Sequence, residues 1–213
     1  MNPKDLSFIR NDYRQGELDE THVHADPMMQ FGTWMEQAIN AGIEEPTAMT
    51  LATATADGIP SARMVLLKGF DERGFSFFTN YLSRKGRELD SNPAAALVFF
   101  WKELERQVRI EGRVVKISPE QSDEYFSSRP EESQVNAIIS PQSENISSRA
   151  HLEDLREYYL KNHEGPHKRP KKWGGYCLVP VAIEFWQGRP GRMHDRILYS
   201  VAANGWKIER LAP

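Results

Sequence analysis

Cysteine is almost absent from the chain: Cys177 is the only one in 213 residues. No intrachain disulfide can form, and this usage fits a reducing compartment. Long apolar runs are missing too. The longest, Ala94–Trp101, is far too short to span a bilayer. The opening MNPKDLSFIRNDYRQGEL lacks the apolar stretch of a signal peptide. A cytoplasmic protein is therefore expected, in which the sequon Asn145-Ile146-Ser147 needs no glycan. There is no excess of positive charge either. Lys and Arg number 27 against 30 Asp and Glu, a formal net charge of -3. No global field draws in nucleic acid or an anionic membrane, so any anion site must be a local cluster of cations.

Several catalytic signatures are also lacking. There is no P-loop, no G-x-G-x-x-G and no G-x-S-x-G, which removes the usual support for ATPase, Rossmann dehydrogenase and serine hydrolase readings. His163–His167 spells H-E-x-x-H, but Gly165 and Pro166 break the helix that this zinc motif needs. A surface loop is expected there. His22 and His24 have no evident third ligand, and no metal is expected.

What is present is an ordinary globular mixture, 39% hydrophobic and 27% charged, long enough to bury a sizeable core. Asp26 as cap, Pro27 at the first position and Gly42 as stop frame a helix, with Met28, Phe31, Met35, Ala38 and Ile39 as its apolar face. The pattern then changes to strands: TAMTLATAT, IPSARMVLLKGF, GFSFFTN, AAALVFFW and ERQVRIEGRVVKI. Asp57-Gly58 and Asp71–Gly74 supply turns between the first three. Helices are expected over Ser83–Asn92, from Ser118 through SPEQSDEYFSS, and over Ser147–Asn162. The tail returns to strands, GYCLVPVAIEFWQG, RILYSV and WKIERL, the last pair joined at Asn204-Gly205. Short, mostly antiparallel strands with interspersed helices point to a mainly β barrel or closed sheet.

Three clusters carry chemistry. In RMVLLK, Arg63 and Lys68 flank a buried-type core; strict alternation turns them to opposite faces, toward two anions, unless a bulge brings them together. The plain alternative is two cations snorkelling at strand ends. In FFTNYLSRKGREL, Arg84 and Lys85 fall in the first turn of a helix opening at Ser83. Cations there oppose the helix dipole and make sense beside a bound phosphate. In QGRPGRMHDRILY, Arg192, His194 and Arg196 alternate along an expected extended segment, on one face and about 6–7 Å apart. Three cations so placed repel one another unless an anion or electron-rich ligand covers them. A surface strand salt-bridged through Glu184 and Asp195 is the alternative. Trp186 stands ready to pack on a planar ring or in the core.

These segments, together with ERQV, EYFSSRPEESQ, PQS, IEFWQG and the terminal WKIERLAP, resemble the pyridoxamine 5′-phosphate oxidase family in order from about Arg10 to Pro213. The resemblance implies an FMN-binding split β-barrel built as a homodimer, with FMN sites at the subunit interface. Residues 1–25 would form a partly mobile N-terminal arm and 26–213 a single FMN-binding domain. The implied activity is oxidation of pyridoxamine 5′-phosphate and pyridoxine 5′-phosphate to pyridoxal 5′-phosphate in vitamin B6 biosynthesis or salvage. O2 would be the electron acceptor, with H2O2 released and ammonia from the amine.

By matching motifs, Arg63, Arg84, Lys85, Gln142 and Ser143 would meet the flavin phosphate and ribityl chain. Met64, Val65, Leu66, Leu67, Lys68, Phe78, Thr79, Gln107, Trp186 and Arg196 would line the rest of it. Lys68, Tyr125, Arg129 and Ser133 would hold the substrate phosphate. Arg192 and His194, with Met193 between them, would sit over the substrate ring in the catalytic role, and Arg10, Asn11, Asp12 and Tyr13 would fold over the site. Phe78 departs from the Tyr frequent in relatives, which removes a hydroxyl. Met193 replaces a common Leu at similar volume. The rival readings are another split-barrel flavoprotein, such as a flavin reductase or a reductase using a different electron donor, a non-catalytic store of flavin or pyridoxal phosphate, and an oligonucleotide-binding barrel.

Overall fold

The computed structural model describes residues 12–213; Arg10 and Asn11 lie outside the described residues. Among the described residues the chain forms nine strands and five α-helices. Helix α1 (Pro27–Asn40) is followed by β1 (Ala48–Ala54), β2 (Pro60–Leu66), β3 (Gly69–Asp71) and β4 (Gly74–Asn80). Then come α2 (Arg84–Ser91), β5 (Ala94–Trp101), β6 (Arg106–Lys116), α3 (Pro119–Ser128), α4 (Glu131–Ile139) and α5 (Arg149–Asn162). Strands β7 (Trp173–Gln187), β8 (Asp195–Ala202) and β9 (Gly205–Arg210) close the chain. The sheet order is β2-β1-β5-β6-β7-β4-β3, with β8 paired to β7 and β9 to β8.

The contacts fall into two compact units. One runs up to Pro46 and adds Val98–Ile110 and Val181–Pro213. Its core packs α1 onto strand residues, with Phe31 against Phe99 at 5.1 Å and Trp34 edge-on to Phe185 at 5.2 Å. Asp26 caps α1 by accepting from the Met28 N–H, as expected. The buried face of that helix differs from the expected one: Gln30 and Trp34 are inside, while Ile39 is 56% exposed.

The other unit comprises Thr47–Leu97 and Glu111–Pro180. Met49, Leu51, Phe75, Phe77 and Leu97 are fully buried in it. The β1–β2 register sets Leu51 opposite Arg63 and Thr53 opposite Ser61. Phe126, Ala137 and Trp173 form a second cluster, with Phe78, Tyr125 and Ile138 packed on it. Helix α4 was not anticipated. It begins right after Pro130, and only Val135 and Ala137 of its nine residues are buried, too few to write an apolar stripe.

His163–His167 is a loop, as expected, with its two rings stacked at 5.1 Å. Among the described residues no group of three or more His, Cys, Asp or Glu could hold a metal ion. No described helix is long and apolar enough to cross a membrane.

Candidate active site

Strand β2 alternates half-buried and exposed residues, which puts Ser61, Arg63 and Val65 on one face. Thr53 on β1 is on the same side, and the Arg63 guanidinium donates to the Leu51 carbonyl (3.1 Å), Thr53 Oγ1 (2.5 Å), Ser61 Oγ and Glu88 (3.3 Å). Strand β2 ends at Leu66, Leu67 turns into the core at 5% exposure, and Lys68 follows outside the strand. The alternation that would have separated Arg63 from Lys68 therefore stops before Lys68. Both side chains line one cavity of about 670 Å³.

The second wall comes from the β4–α2 junction. Ser83 is fully buried; its hydroxyl donates to the Asn80 carbonyl (2.6 Å) and caps α2 by accepting from the Gly86 N–H (3.3 Å). A Cβ on Gly86 would overlap the Tyr81 carbonyl, so glycine is required for this close turn. Lys85 is 8% exposed, and its ammonium meets only neutral oxygens: Thr79 Oγ1 at 3.1 Å, Ser83 Oγ at 3.3 Å and Gln142 Oε1 at 3.5 Å. Burial, reinforced by the Arg63 charge, pushes it down to about 8. Ser143, beside Gln142 in the cavity wall, takes a left-handed φ of 73°.

The third wall is aromatic. Phe78 stacks on Tyr125 at 3.9 Å and on Trp173 at 5.6 Å. The Arg129 guanidinium lies over Trp173 at 4.7 Å, and its Nη1 is buried with no hydrogen-bond partner. Burial lowers the Arg129 pKa and raises that of Tyr125. A buried guanidinium nitrogen with nothing to donate to is costly.

Two family profiles match: pyridoxamine 5′-phosphate oxidase over residues 35–159 and pyridoxine 5′-phosphate oxidase C-terminal dimerisation region over 173–213. A pyridoxine/pyridoxamine 5′-phosphate oxidase of Paraburkholderia phymatum is 58% identical, covering 98% of this chain and 99% of that protein. One from Acaryochloris marina is 55% identical over 98% and 95%. The chain belongs to the pyridoxamine 5′-phosphate oxidase family.

Among solved structures, PhzG from Burkholderia lata in complex with tetrahydrophenazine-1-carboxylic acid matches with a TM-score of 0.86 and 32% identity, covering 91% of this chain and 95% of that one. A pyridoxamine 5′-phosphate oxidase-related, FMN binding protein of Nostoc punctiforme matches at 0.71 and 18% identity, over 88% and 98%, and shows the fold alone. The mainly β, split-barrel class expected from the sequence is the fold class found, in a family of oxidoreductases.

In this oxidase-family chain one cavity gathers Arg63, Met64, Val65, Leu66, Lys68, Phe78, Thr79, Arg84, Lys85, Tyr125, Arg129, Gln142 and Ser143. Leu67 and Ser133, expected with them, do not line it; Ser133 is half-buried on α4. Ser61, Ala62 and Trp173 do line it and were not foreseen. Nor was Glu88, which is 5% exposed and accepts from Arg84 Nε at 2.9 Å as well as from Arg63. Burial alone would raise its pKa, but hydrogen bonds from Ser61, Thr53 and Arg84 and the charge of Arg63 hold it at about 2. Its one sequence signal is the i,i+4 spacing from Arg84.

The remaining expected residues sit in the other unit. His194 accepts the Arg189 N–H on Nδ1 (3.1 Å), and its ring lies 4.7 Å from Trp186 and 5.8 Å from Tyr13. Asp12 is exposed, near Arg14 at 3.3 Å, and Gln107 is half-buried on β6. The extended segment expected through Arg192 does not form. Pro190–Arg192 make a 3-10 turn, Arg192 is exposed with a left-handed φ of 63°, Met193 is 69% exposed, and β8 starts only at Asp195. Proline followed by glycine forces that turn. Arg196 is bound through Nε and Nη2 to the Glu184 carboxylate at 2.8 and 3.1 Å, so its charge is met within the chain.

Proposed function

We propose that the protein is an FMN-dependent oxidase that converts pyridoxamine 5′-phosphate and pyridoxine 5′-phosphate to pyridoxal 5′-phosphate, with O2 as acceptor. The observation that carries this reading is a single cavity holding two kinds of underused cation. The buried Lys85 ammonium has only neutral partners, and the buried Arg129 Nη1 has none. Such cations fit two phosphate-bearing ligands, and relatives at 55–58% identity carry this activity in their names.

In this reading Arg63, Arg84, Lys85, Gln142 and Ser143 hold the FMN phosphate and ribityl chain, and Met64, Val65, Leu66, Thr79 and Phe78 line its ring. Leu67 contributes through the backbone, since its side chain is buried. Lys68, Tyr125, Arg129 and Ser133 hold the substrate phosphate; Arg supplies a fork and Lys a point charge. The chemistry FMN supplies when bound is acceptance of two electrons from the carbon bearing the amine or hydroxyl, and their return to O2. The amine, O2 and water then yield the aldehyde, ammonia and H2O2; the alcohol and O2 yield the aldehyde and H2O2.

His194 Nδ1 is an acceptor toward the Arg189 N–H, so the neutral ring carries its proton on Nε2, the nitrogen left to exchange one with substrate. Arg192 and Met193 join His194 at the substrate, with Arg10, Asn11, Asp12 and Tyr13 as further substrate contacts. Trp186, Arg196 and Gln107 complete the FMN site from the partner subunit of a homodimer. The dimerisation-region match over residues 173–213 supports that arrangement. A cytoplasmic setting belongs to the same reading, since the only cysteine is a free, buried thiol.

The test is to load the purified protein with FMN and add pyridoxamine 5′-phosphate in air. Pyridoxal 5′-phosphate should form in step with O2 uptake; flavin binding without turnover would leave only a ligand store. The likeness to PhzG favours a second reading, oxidation of a reduced aromatic carboxylic acid at the same site. It predicts turnover of tetrahydrophenazine-1-carboxylic acid in preference to the B6 phosphates.

A further inference from the structure

We infer that Glu88 is a positioning residue for the cofactor phosphate: its buried carboxylate fixes the guanidinium groups of Arg63 and Arg84 so that their remaining N–H groups meet a phosphate monoester. The inference rests on the reading that FMN is the cofactor.

Glu88 lies one helical turn after Arg84. An ordinary i,i+4 pair of this kind sits in solvent on a helix surface and contributes little. This one is different on three counts. The carboxylate is 5% exposed. It reaches off its own helix to two strands, accepting from Thr53 Oγ1 at 2.5 Å and Ser61 Oγ at 2.6 Å. And it joins the two arginines to one anchor, Arg84 Nε at 2.9 Å and Arg63 Nη2 at 3.3 Å.

The donors left over fit the proposed ligand. Arg63 directs Nη1 and Nη2 at Leu51, Thr53, Ser61 and Glu88, which leaves its Nε. Arg84 binds Glu88 through Nε, which leaves both of its terminal nitrogens. Both side chains, with Lys85, line the cavity. Three cations and one buried carboxylate leave a formal surplus of two positive charges, matched to a phosphate monoester of about -1.5 to -2. A long arginine side chain has much rotamer freedom to lose on binding, and a carboxylate that holds it beforehand removes that cost.

Glu88 also repels the phosphate it helps to bind. Removing its charge would by itself tighten binding, whereas removing its hold on the arginines would weaken it. The sign of the change separates the two roles.

The experiment titrates apoprotein with FMN and with riboflavin, which has the same ring and ribityl chain but no phosphate, following flavin fluorescence for wild type, Glu88→Gln and Glu88→Asp. A loss of charge-assisted contacts should weaken FMN binding by about tenfold or more in Glu88→Gln and leave riboflavin within about twofold. Glu88→Asp, which keeps the charge one methylene short, should fall between. Unchanged or tighter FMN binding overturns the inference, and so does an equal loss for both flavins, which would mark a purely scaffolding carboxylate. Should Glu88→Gln fail to fold by circular dichroism, Glu88→Asp decides on the same criterion: FMN weakened with riboflavin kept supports the role, and a parallel loss or none overturns it. Wild type that binds no FMN fails the cofactor reading and this inference together. Wild type that prefers FMN, beside a Glu88→Gln that prefers it equally, fails this inference alone.

Discussion

Lys85 is an ammonium buried among hydroxyl and amide oxygens, and this fixes how the site should respond to pH. Its pKa in the folded chain is about 8, against the ordinary 10.5. Between those values the unfolded chain binds the extra proton, so the apoprotein should gain stability from this group as pH rises from about 8 to 10.5. Anion binding runs the other way, because the lysine must be charged to hold a phosphate. FMN affinity of the apoprotein should fall about tenfold between pH 7 and pH 9, and Lys85→Met should both weaken FMN at pH 7 and flatten that dependence. Fluorescence titrations at the two pH values check it; a wild type with no pH dependence would remove Lys85 from the phosphate cradle. Arg129 is the counterpart on the other wall. Its Nη1 is buried without a hydrogen-bond partner, and in the proposed reading Arg129 holds the substrate phosphate. Loss of one charged hydrogen bond predicts that Arg129→Ala lowers kcat/KM for pyridoxamine 5′-phosphate by roughly ten- to a hundredfold, mainly through KM, with FMN affinity kept. Steady-state kinetics beside a flavin titration would show the split, and a matching loss of FMN affinity would contradict it.

At the scale of elements, α2 brings Arg84 and Lys85 to the cavity wall, and its start depends on Ser83. That hydroxyl is fully buried and serves the Asn80 carbonyl and the Gly86 N–H at once. Ser83→Ala should cost about 1–2 kcal/mol and lower Tm by several degrees in a thermal melt. Gly86→Ala should cost more, since the added methyl meets the Tyr81 backbone, which cannot swing aside. A variant with unchanged Tm in either case would mean that the junction relaxes freely. Caps and turns of this kind are local chemistry, which is why α1, α2 and α3 could be read from Asp26, Ser83 and Ser118. What could not be read depends on tertiary context. Helix α4 buries too little to write a pattern. Trp34 joins the α1 face because Phe185 on β7 meets it there, and Gln30 because its side-chain oxygen accepts from the His24 N–H. The alternation expected across Arg192, His194 and Arg196 failed for a local reason, the Pro190-Gly191 turn, whose signal was present and outweighed by the even spacing of cations. In the sequence Glu88 is one charge among several in the polar run SRKGRELDSN; only the strands behind it reveal a buried anchor.

For the whole molecule, the cavity in one unit gathers nearly all the expected phosphate contacts, while Trp186, Arg192, His194 and Arg196 belong to the other unit. The cations of RMVLLK and SRK line that one cavity; each cluster could be picked out because it is compact in sequence, while their sharing of a cavity followed only from the family resemblance. If two chains share each site, Lys85→Ala and Arg192→Ala, each inactive alone, should complement. Random exchange gives heterodimers with one intact site, so about a quarter of wild-type activity should return on mixing. No recovery despite proven subunit exchange would place each site within a single chain. The most direct measurement is a comparison of substrates that differ only in the phosphate: O2 uptake by the FMN-loaded protein with pyridoxamine 5′-phosphate and with pyridoxamine at equal concentration. Two anion pockets in one cavity predict rapid uptake with the phosphorylated amine and almost none with the other. Equal rates, or none with either, would contradict the account.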